Sequence, residues 1–182
     1  MDAATVSPAQ RQAHKNAGGN FGLGGAERAG AAKERVGAIQ ERQAELQQKF
    51  SENTLDATDA FSYYASAEEM AGVPDDVVQN ARNAAQAEGK DGHKLTLKMP
   101  CYLPVMQYAK SRALRETLYR AYATRASELG PAERDNTSLM ADILALRQEE
   151  AQLLGYANFA EVSLVPKMAD NPAQVLHFLR DL

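Results

Sequence analysis

Residues 94–106 have the sequence Lys-Leu-Thr-Leu-Lys-Met-Pro-Cys-Tyr-Leu-Pro-Val-Met. In the first half of this run Leu95, Leu97 and Met99 alternate with polar residues, and this period of two predicts a β-strand with the three apolar side chains on one face. The two prolines that follow favour a broken helix directly after the strand. Phe61-Ser-Tyr-Tyr64 is the other strand candidate. Because two strands rarely stand alone, we expect a small antiparallel pair lying on helices.

A long amphipathic helix is predicted over Ala31–Asp56. Apolar residues recur there at steps of three to four, and this spacing places them in one stripe on the helix surface. The row, which includes one glutamine, consists of Val36, Ile39, Gln43, Leu46 and Phe50. It fades well short of the repeated heptads that a coiled coil needs, so we interpret it as the packed face of a single helix.

Residue types that favour the first or last position of a helix recur along the remaining chain. Proline suits the first position of a helix and glycine suits its end, which predicts a helix over Pro74–Glu88 followed by Gly89. Serine, aspartate and asparagine cap first-turn N–H groups. They predict further helices over Ser111–Glu128, from Asp135 or Asn136 to Leu154, from Asn158 to Pro166, and from Asn171-Pro172 onward. The predicted fold class is all-α, mainly helical, with one small two-stranded antiparallel β element.

The first thirty residues differ from the rest in glycine content. Five glycines occur within residues 18–25: Gly18, Gly19, Gly22, Gly24 and Gly25. Glycine loses more backbone entropy on ordering than any other residue. We therefore expect no stable helix over Ala17–Gly25, and we interpret residues 1–30 as a flexible glycine-rich arm with at most a frayed turn around Pro8–Asn16.

The composition limits the classes of function. The 182 residues include 20 basic and 24 acidic side chains, a formal net charge of −4, which argues against binding nucleic acid or an anionic membrane through overall charge. The single cysteine, Cys101, can form neither an internal disulfide nor a cysteine-based zinc site, so a reducing compartment is favoured. No run approaches 18 apolar residues, and the first residues lack the apolar core of a signal peptide. We expect a cytoplasmic chain of one or two domains.

The histidines and acidic pairs show no pattern of a zinc site. None of His14, His93 and His177 has a second histidine four residues on, whereas a zinc hydrolase needs two or three close ligands and a base. We interpret all three as structural. The adjacent pairs Asp75-Asp76 and Glu68-Glu69 cannot converge on one helix face, so we interpret them as helix-terminus charge and solvated surface.

Nucleophilic catalysis is not supported either. Cys101 has no histidine near it in the sequence, and we interpret it as a packed structural thiol. Four serines can be considered as nucleophiles: Ser62, Ser66, Ser111 and Ser163. None of them lies in a Gly-x-Ser-x-Gly elbow.

The helix predicted over Ser111–Glu128 is rich in arginine and tyrosine, a mixture also found on nucleic-acid-binding surfaces. These residues are Arg112, Arg115, Tyr119, Arg120, Tyr122 and Arg125. At about 100° per residue the arginines point in different directions, which argues against one binding face. Glu116 and Arg120 are placed to form an ion pair. The core face is predicted to consist of Leu114, Leu118 and Ala121.

Arg125 is the exception because it falls within the apolar arc of its helix. Glu150 likewise falls among apolar residues of the next predicted helix. We hypothesise that Arg125 is a buried partner of Glu149 or Glu150.

An apolar row continues to the last residue of the sequence. It consists of Val175, Leu176, Leu179 and Leu182. An independent domain seldom ends midway through such a row, so we expect this chain to be a piece of a larger protein.

Several segments resemble a known family when they are taken together and in order. They are the run 94–106, Arg115-Glu-Thr-Leu-Tyr-Arg-Ala-Tyr-Ala-Thr-Arg-Ala-Ser127, Asp135-Asn136 and Ile143-Leu-Ala-Leu-Arg-Gln-Glu-Glu-Ala-Gln-Leu-Leu-Gly-Tyr156. Phe50-Ser-Glu-Asn-Thr-Leu-Asp-Ala-Thr58 and Leu164-Val-Pro-Lys-Met-Ala169 add to the likeness. The chain, over about Phe21–Leu182, resembles the oligopeptidase A branch of the thimet oligopeptidase and neurolysin family of zinc metallopeptidases.

The resemblance implies a mostly helical, two-lobed neurolysin-like fold with a deep channel that admits short, unstructured peptides. It also implies zinc held by His-Glu-x-x-His and a later glutamate, with the motif's glutamate as general base. This sequence contains no His-Glu-x-x-His. No catalytic, cofactor-binding or metal-binding residue is therefore assigned in the chain, and no zinc is expected in it.

The resemblance also suggests a division of the chain. Residues 1–30 would be the flexible arm, 31–110 a helical wall region with the small β pair, and 111–182 the helical start of a truncated peptidase domain. We expect a fragment of a zinc metalloendopeptidase that is inactive alone. The alternative is a non-enzymatic helical module that binds a partner, or itself, through exposed stripes of Ala31–Asp56 and Pro172–Leu182.

Overall fold

The computed structural model describes residues 7–23 and 30–182. This part of the chain is mainly helical, with one two-stranded sheet, so the predicted fold class is confirmed. The elements in chain order are α1 (Pro8–Leu23), α2 (Ala31–Asp59), β1 (Tyr63–Ala65), α3 (Asp75–Ala87), β2 (His93–Leu95), α4 (Met99–Tyr108), α5 (Arg112–Ala123), a 3₁₀ turn (Ala132–Arg134), α6 (Thr137–Leu153), α7 (Phe159–Leu164) and α8 (Pro172–Arg180).

The described residues form two compact units. Unit 1 combines the residues up to Gln47 with Leu139–Leu182, and unit 2 comprises Gln48–Ser138. Helices α2 and α6 each contribute residues to both units.

The antiparallel strand pair in unit 2 is confirmed, with bounds that differ from the prediction. Tyr63 pairs with Leu95 and Ala65 pairs with His93. The prediction that the second strand extends to Met99 is wrong, because Pro100 suits the first turn of a helix and α4 already begins at Met99. Leu95 and Leu97 are buried as predicted, whereas Met99 is 46% exposed.

The core of unit 2 lies between the strand pair and helices α3, α4 and α5. It is formed by Ala65, Met70, Val73, Ala81, Leu95, Leu97, Tyr102, Val105, Ala109, Leu114 and Leu118. The predicted cap of α5 is confirmed, since Ser111 Oγ accepts a hydrogen bond from the N–H of Leu114 at 3.2 Å. The predicted end of α5 at Glu128 is wrong. The helix ends at Ala123, and Ala126 has a φ of 49°, which a right-handed helix does not allow.

The apolar row of α2 is buried along unit 1. Val36 and Ile39 are fully buried, and Gln43 and Leu46 are nearly so. The core cluster of this unit consists of Val36, Ala151, Leu154 and Val162, with Leu23, Leu153, Tyr156 and Phe159 packed against it. The start of α2 at Ala31 is confirmed, and the helix ends three residues later than predicted.

Helix α1 contradicts the expectation of no helix in the glycine-rich region. It runs over Pro8–Leu23, although it contains three glycines. A capping box begins it: Ser7 N–H donates to Gln10 Oε1 at 2.9 Å, and Gln10 N–H donates to Ser7 Oγ at 3.2 Å. This pair, with proline at the first helical position, offsets part of the entropy cost of the glycines. The rest of the predicted arm, residues 1–6 and 24–29, lies outside the described residues.

The short helices near the C-terminus begin where predicted. The side chain of Asn158 accepts a hydrogen bond from Glu161 N–H at 3.1 Å, and that of Asn171 accepts one from Gln174 N–H at 2.9 Å. The apolar row of α8 is largely exposed, with Leu176 at 52% and Leu179 at 59%.

Candidate functional site

A cleft of about 520 Å³ lies within unit 1. Three elements of this unit, α2, α6 and α7, supply most of its wall. Its lining residues are Leu23, Gln40, Gln43, Ala44, Gln47, Glu150, Phe159, Val162, Ser163 and Pro166. Clefts of this size, with a mainly apolar wall and a few placed polar groups, are typical of ligand sites.

Glu150 is the charged residue of this wall, and its side chain is almost fully buried. Its Oε1 accepts a hydrogen bond from Gln40 Nε2 at 2.9 Å, and its Oε2 accepts one from Gln43 Nε2 at 2.7 Å. Gln40 Nε2 also donates to the carbonyl oxygen of Leu23 at 3.1 Å. The two glutamines therefore orient the carboxylate at the cleft wall and satisfy one acceptor position on each oxygen.

The neighbouring carboxylate, Glu149, has a different partner. Arg35 Nε and Nη2 donate to its two oxygens at 2.6 and 2.7 Å. The hydrogen bonds and positive charge of Arg35 hold the pKa of Glu149 below its usual range, and Glu149 raises the pKa of Arg35 in return.

The predicted ion pair between Arg125 and Glu149 or Glu150 is wrong. Arg125 Nη1 donates to Thr58 Oγ1 at 2.9 Å, and its guanidinium lies 3.6 Å from the centre of the Tyr122 ring. The planar guanidinium stacks favourably on an aromatic face, so a buried acid is not needed to place it in the apolar arc.

Other residues of α5 lie in the core or form a surface ion pair, as predicted. Leu114 and Leu118 are buried, and Glu116 pairs with Arg120 at 3.1 Å. Tyr122 stacks on Tyr102 with ring centres 4.3 Å apart. Tyr102, Tyr122 and Arg125 therefore stack on one another within unit 2.

The three histidines have different surroundings. His14 is exposed, and His93 is buried in β2 with Nδ1 3.2 Å from the carbonyl oxygen of Ala65. His177 is exposed and lies 3.0 Å from Asp181. Over residues 7–23 and 30–182, no group of three or more histidine, cysteine or acidic side chains is placed to hold a metal ion. The described residues therefore do not fit zinc.

Cys101 is half-buried and free, in a second cleft of about 340 Å³ within unit 2. Its Sγ accepts a hydrogen bond from Thr96 N–H at 3.4 Å. Three of the four serines named above accept hydrogen bonds: Ser111 caps α5, Ser66 accepts from Glu69 N–H, and Ser163 accepts from Lys167 Nζ. Ser62 is exposed. The contact between Ser163 and Lys167, at 2.7 Å, lies on the exposed surface.

The acidic pairs have structural roles. Asp75 and Asp76 lie in the first turn of α3, where negative charge is favourable. Glu69 is more constrained than a solvated surface residue, because it accepts hydrogen bonds from Ser66 N–H at 2.8 Å and from the Tyr63 hydroxyl at 2.7 Å. These bonds, that from Ser66 first, lower the pKa of Glu69.

The sequence contains a signal for the Glu150 cleft. Gln43 lies in the apolar row of one predicted helix and Glu150 lies in the apolar arc of another. Two polar residues in otherwise apolar stripes often satisfy each other, since a buried polar group without a partner is costly. Pairing these two stripes would have located the site.

No helix in the described parts of the chain combines the length and the apolar character needed to cross a bilayer.

Residues 105–182 match the sequence model of peptidase family M3. Over 98% of its length the chain is 47% identical to oligopeptidase A of Salmonella typhimurium and 47% identical to oligopeptidase A of Escherichia coli. Over 72% of its length it is 45% identical to the organellar oligopeptidase A, chloroplastic/mitochondrial, of Arabidopsis thaliana. The chain covers 27% of the two bacterial relatives and 18% of the plant one, so it spans about a quarter of the bacterial proteins' length.

Proposed function

This chain belongs to peptidase family M3, and we propose on that premise that it is part of a zinc metalloendopeptidase that hydrolyses short, unstructured peptides. The observation that carries the proposal is the 47% identity to oligopeptidase A, which extends over 98% of the chain. A likeness spread over nearly the whole sequence is far more specific than a short motif, and the helical fold agrees with it.

The role of this chain in such an enzyme is structural. Residues 31–110 form a helical wall with the small β pair, and residues 111–182 form the start of the peptidase domain. The match of residues 105–182 to the family supports this division. We propose that zinc and the general base come from residues outside this sequence; the support is that the sequence contains no His-Glu-x-x-His. On this proposal the chain alone does not cleave peptides.

The compartment we propose is the cytoplasm. The support is the single cysteine and the likeness to a probable cytosolic oligopeptidase A of Arabidopsis thaliana, 46% identical over 66% of the chain. An organellar relative also exists, so fluorescence microscopy of a tagged longer polypeptide is the test of location.

The test of the function begins with the coding sequence that flanks these residues. We expect it to continue into His-Glu-x-x-His and a later glutamate. The longer polypeptide, once expressed, should bind one zinc ion and cleave a quenched fluorescent peptide of about ten residues, and a chelator should abolish cleavage. The matched control replaces the motif's glutamate with glutamine, which should retain zinc and lose activity. A flanking sequence without the motif, or cleavage that a chelator leaves unchanged, would contradict the proposal.

The alternative, a helical interaction module, is favoured by one observation. The apolar row of α8 and of the residues after it is largely exposed, with Leu179 at 59% and Leu182 at 88%. The α2 row does not support this alternative, because Val36, Ile39 and Leu46 are buried within unit 1. Sedimentation of the purified chain separates the two functions: concentration-dependent association that Leu179→Asp abolishes would favour the module.

A further inference from the structure

The cleft of unit 1 presents a negative charge without a cationic partner in the described part of the chain. Glu150 is 6% exposed, and its carboxylate accepts hydrogen bonds from two neutral amides at 2.9 and 2.7 Å. Each of its two oxygens accepts one of these hydrogen bonds. A buried carboxylate that has only neutral partners is costly, and a cation placed beside it would relieve that cost.

The cations on neighbouring turns do not fill this role. Arg35 is engaged by both oxygens of Glu149. Arg147, one turn before Glu150 on α6, lies over the Phe159 ring at 4.8 Å, and no ion pair joins it to Glu150 within the described residues. The acceptor capacity of Glu150 at the cleft wall is therefore unused by these two arginines.

The rest of the wall suits an aliphatic chain that ends in a positive charge. Leu23, Ala44, Phe159, Val162 and Pro166 supply apolar surface around the carboxylate. Gln40 and Gln43 donate through Nε2, so their amide oxygens remain chemically able to accept hydrogen bonds. A primary ammonium has three donors and no acceptor, which suits the remaining acceptor positions of the Glu150 carboxylate.

We propose that the Glu150 cleft binds the side chain of a lysine residue in a partner peptide, with its ammonium at Glu150 and its methylene groups along Ala44 and Val162. The volume of about 520 Å³ leaves room for residues on either side of that lysine. The proposal concerns binding within unit 1 and rests on no part of the proposed catalytic function.

The test is isothermal titration calorimetry of the 182-residue chain with acetyl-Ala-Lys-Ala-amide. The matched probe, acetyl-Ala-norleucine-Ala-amide, keeps the methylene groups and lacks the ammonium. We expect the lysine peptide to bind about tenfold to a hundredfold more tightly than the norleucine peptide, as a charge-assisted hydrogen bond would give. Equal affinity for the two peptides, or no heat of binding at millimolar concentration, would overturn the proposal.

Three variants locate the binding. Glu150→Gln should remove the preference for lysine, while Glu149→Gln should keep it, because Glu149 lies next in sequence but does not line the cleft. Ala44→Leu narrows the cleft without touching the carboxylate and should weaken the lysine peptide at least tenfold. Circular dichroism checks that each variant is folded. If Glu150→Gln does not fold, the affinity of Ala44→Leu for the lysine peptide and the comparison of the two peptides still test the proposal. If folded Glu150→Gln still prefers the lysine peptide to the norleucine peptide, the proposal is wrong.

Discussion

Arg35 and Glu149, which lie 114 positions apart in the chain, form a bidentate ion pair with N–O distances of 2.6 and 2.7 Å. The pair joins α2 to α6 within unit 1, one residue before the buried Glu150. Both side chains are about half exposed, so solvent screens the pair and its contribution to stability is small.

The pH dependence of this pair can be predicted with its sign. Arg35 lowers the pKa of Glu149, so the stabilisation is complete above the ordinary glutamate pKa and is lost as pH falls through the lowered value. At pH 7, Glu149→Gln should therefore melt below the unmodified chain, by no more than about 4 °C. This difference should vanish in acid. Thermal unfolding followed by circular dichroism between pH 7 and pH 2.5 measures it. A difference that persists at the lowest pH would contradict the assignment.

The N-cap of α5 should contribute measurably to the stability of unit 2. Ser111→Ala removes the acceptor of the Leu114 N–H and should lower the free energy of unfolding by about 0.5–2 kcal/mol. Ser111→Asp restores an acceptor and should recover most of that loss. Urea denaturation of the three proteins is the measurement, and equal stability of the alanine and unmodified proteins would show that the cap is unimportant.

Two leucines should respond very differently to the same truncation. Leu118 is fully buried in the unit 2 core, and Leu118→Ala should cost about 2–5 kcal/mol of unfolding free energy. Leu179 is 59% exposed on α8, and Leu179→Ala or Leu179→Asp should change stability by about 0.5 kcal/mol or less. A large loss for the Leu179 variants would mean that the α8 row is packed within the chain, and the expectation of an uncovered row would fail.

Gly92 and Gly89 provide a matched pair of backbone tests. Both have positive φ, 88° and 66°, so alanine is strained at either position. At Gly92 a Cβ would also lie 2.7 Å from the carbonyl oxygen of Ala65, in the paired strand, whereas at Gly89 nothing lies within 4 Å. Gly89→Ala should cost about 1–2 kcal/mol. Gly92→Ala should cost clearly more and lower the melting temperature further. A larger loss of stability for Gly89→Ala than for Gly92→Ala would contradict the close approach of Gly92 to Ala65.

Much of this fold could be predicted because its signals are local. Ser111, Asn158 and Asn171 each accept a hydrogen bond from an N–H in the first turn, as their residue types suggest. The α1 helix differs from the prediction because the capping box of Ser7 and Gln10 stabilises its first turn despite the glycines.

The partners of individual side chains were harder to predict. Helical spacing placed Arg125 in an apolar arc. It could not show that the guanidinium would stack on Tyr122 and donate a hydrogen bond to Thr58. Spacing likewise gave the positions of Gln43 and Glu150 without showing that they are bonded to each other, because the two residues lie 107 positions apart. Such contacts depend on how helices pack, which periodicity alone does not determine.

The central proposal is that this chain is part of a peptidase whose metal ligands and general base lie outside these 182 residues. Its most direct test is the zinc content of the purified 182-residue chain, measured together with hydrolysis of a quenched fluorescent peptide, with and without added zinc. We predict no stoichiometric zinc and no chelator-sensitive cleavage. Bound zinc with chelator-sensitive cleavage would mean that His14, His93 or His177 takes part in a site that the described structure does not form, and it would contradict the account.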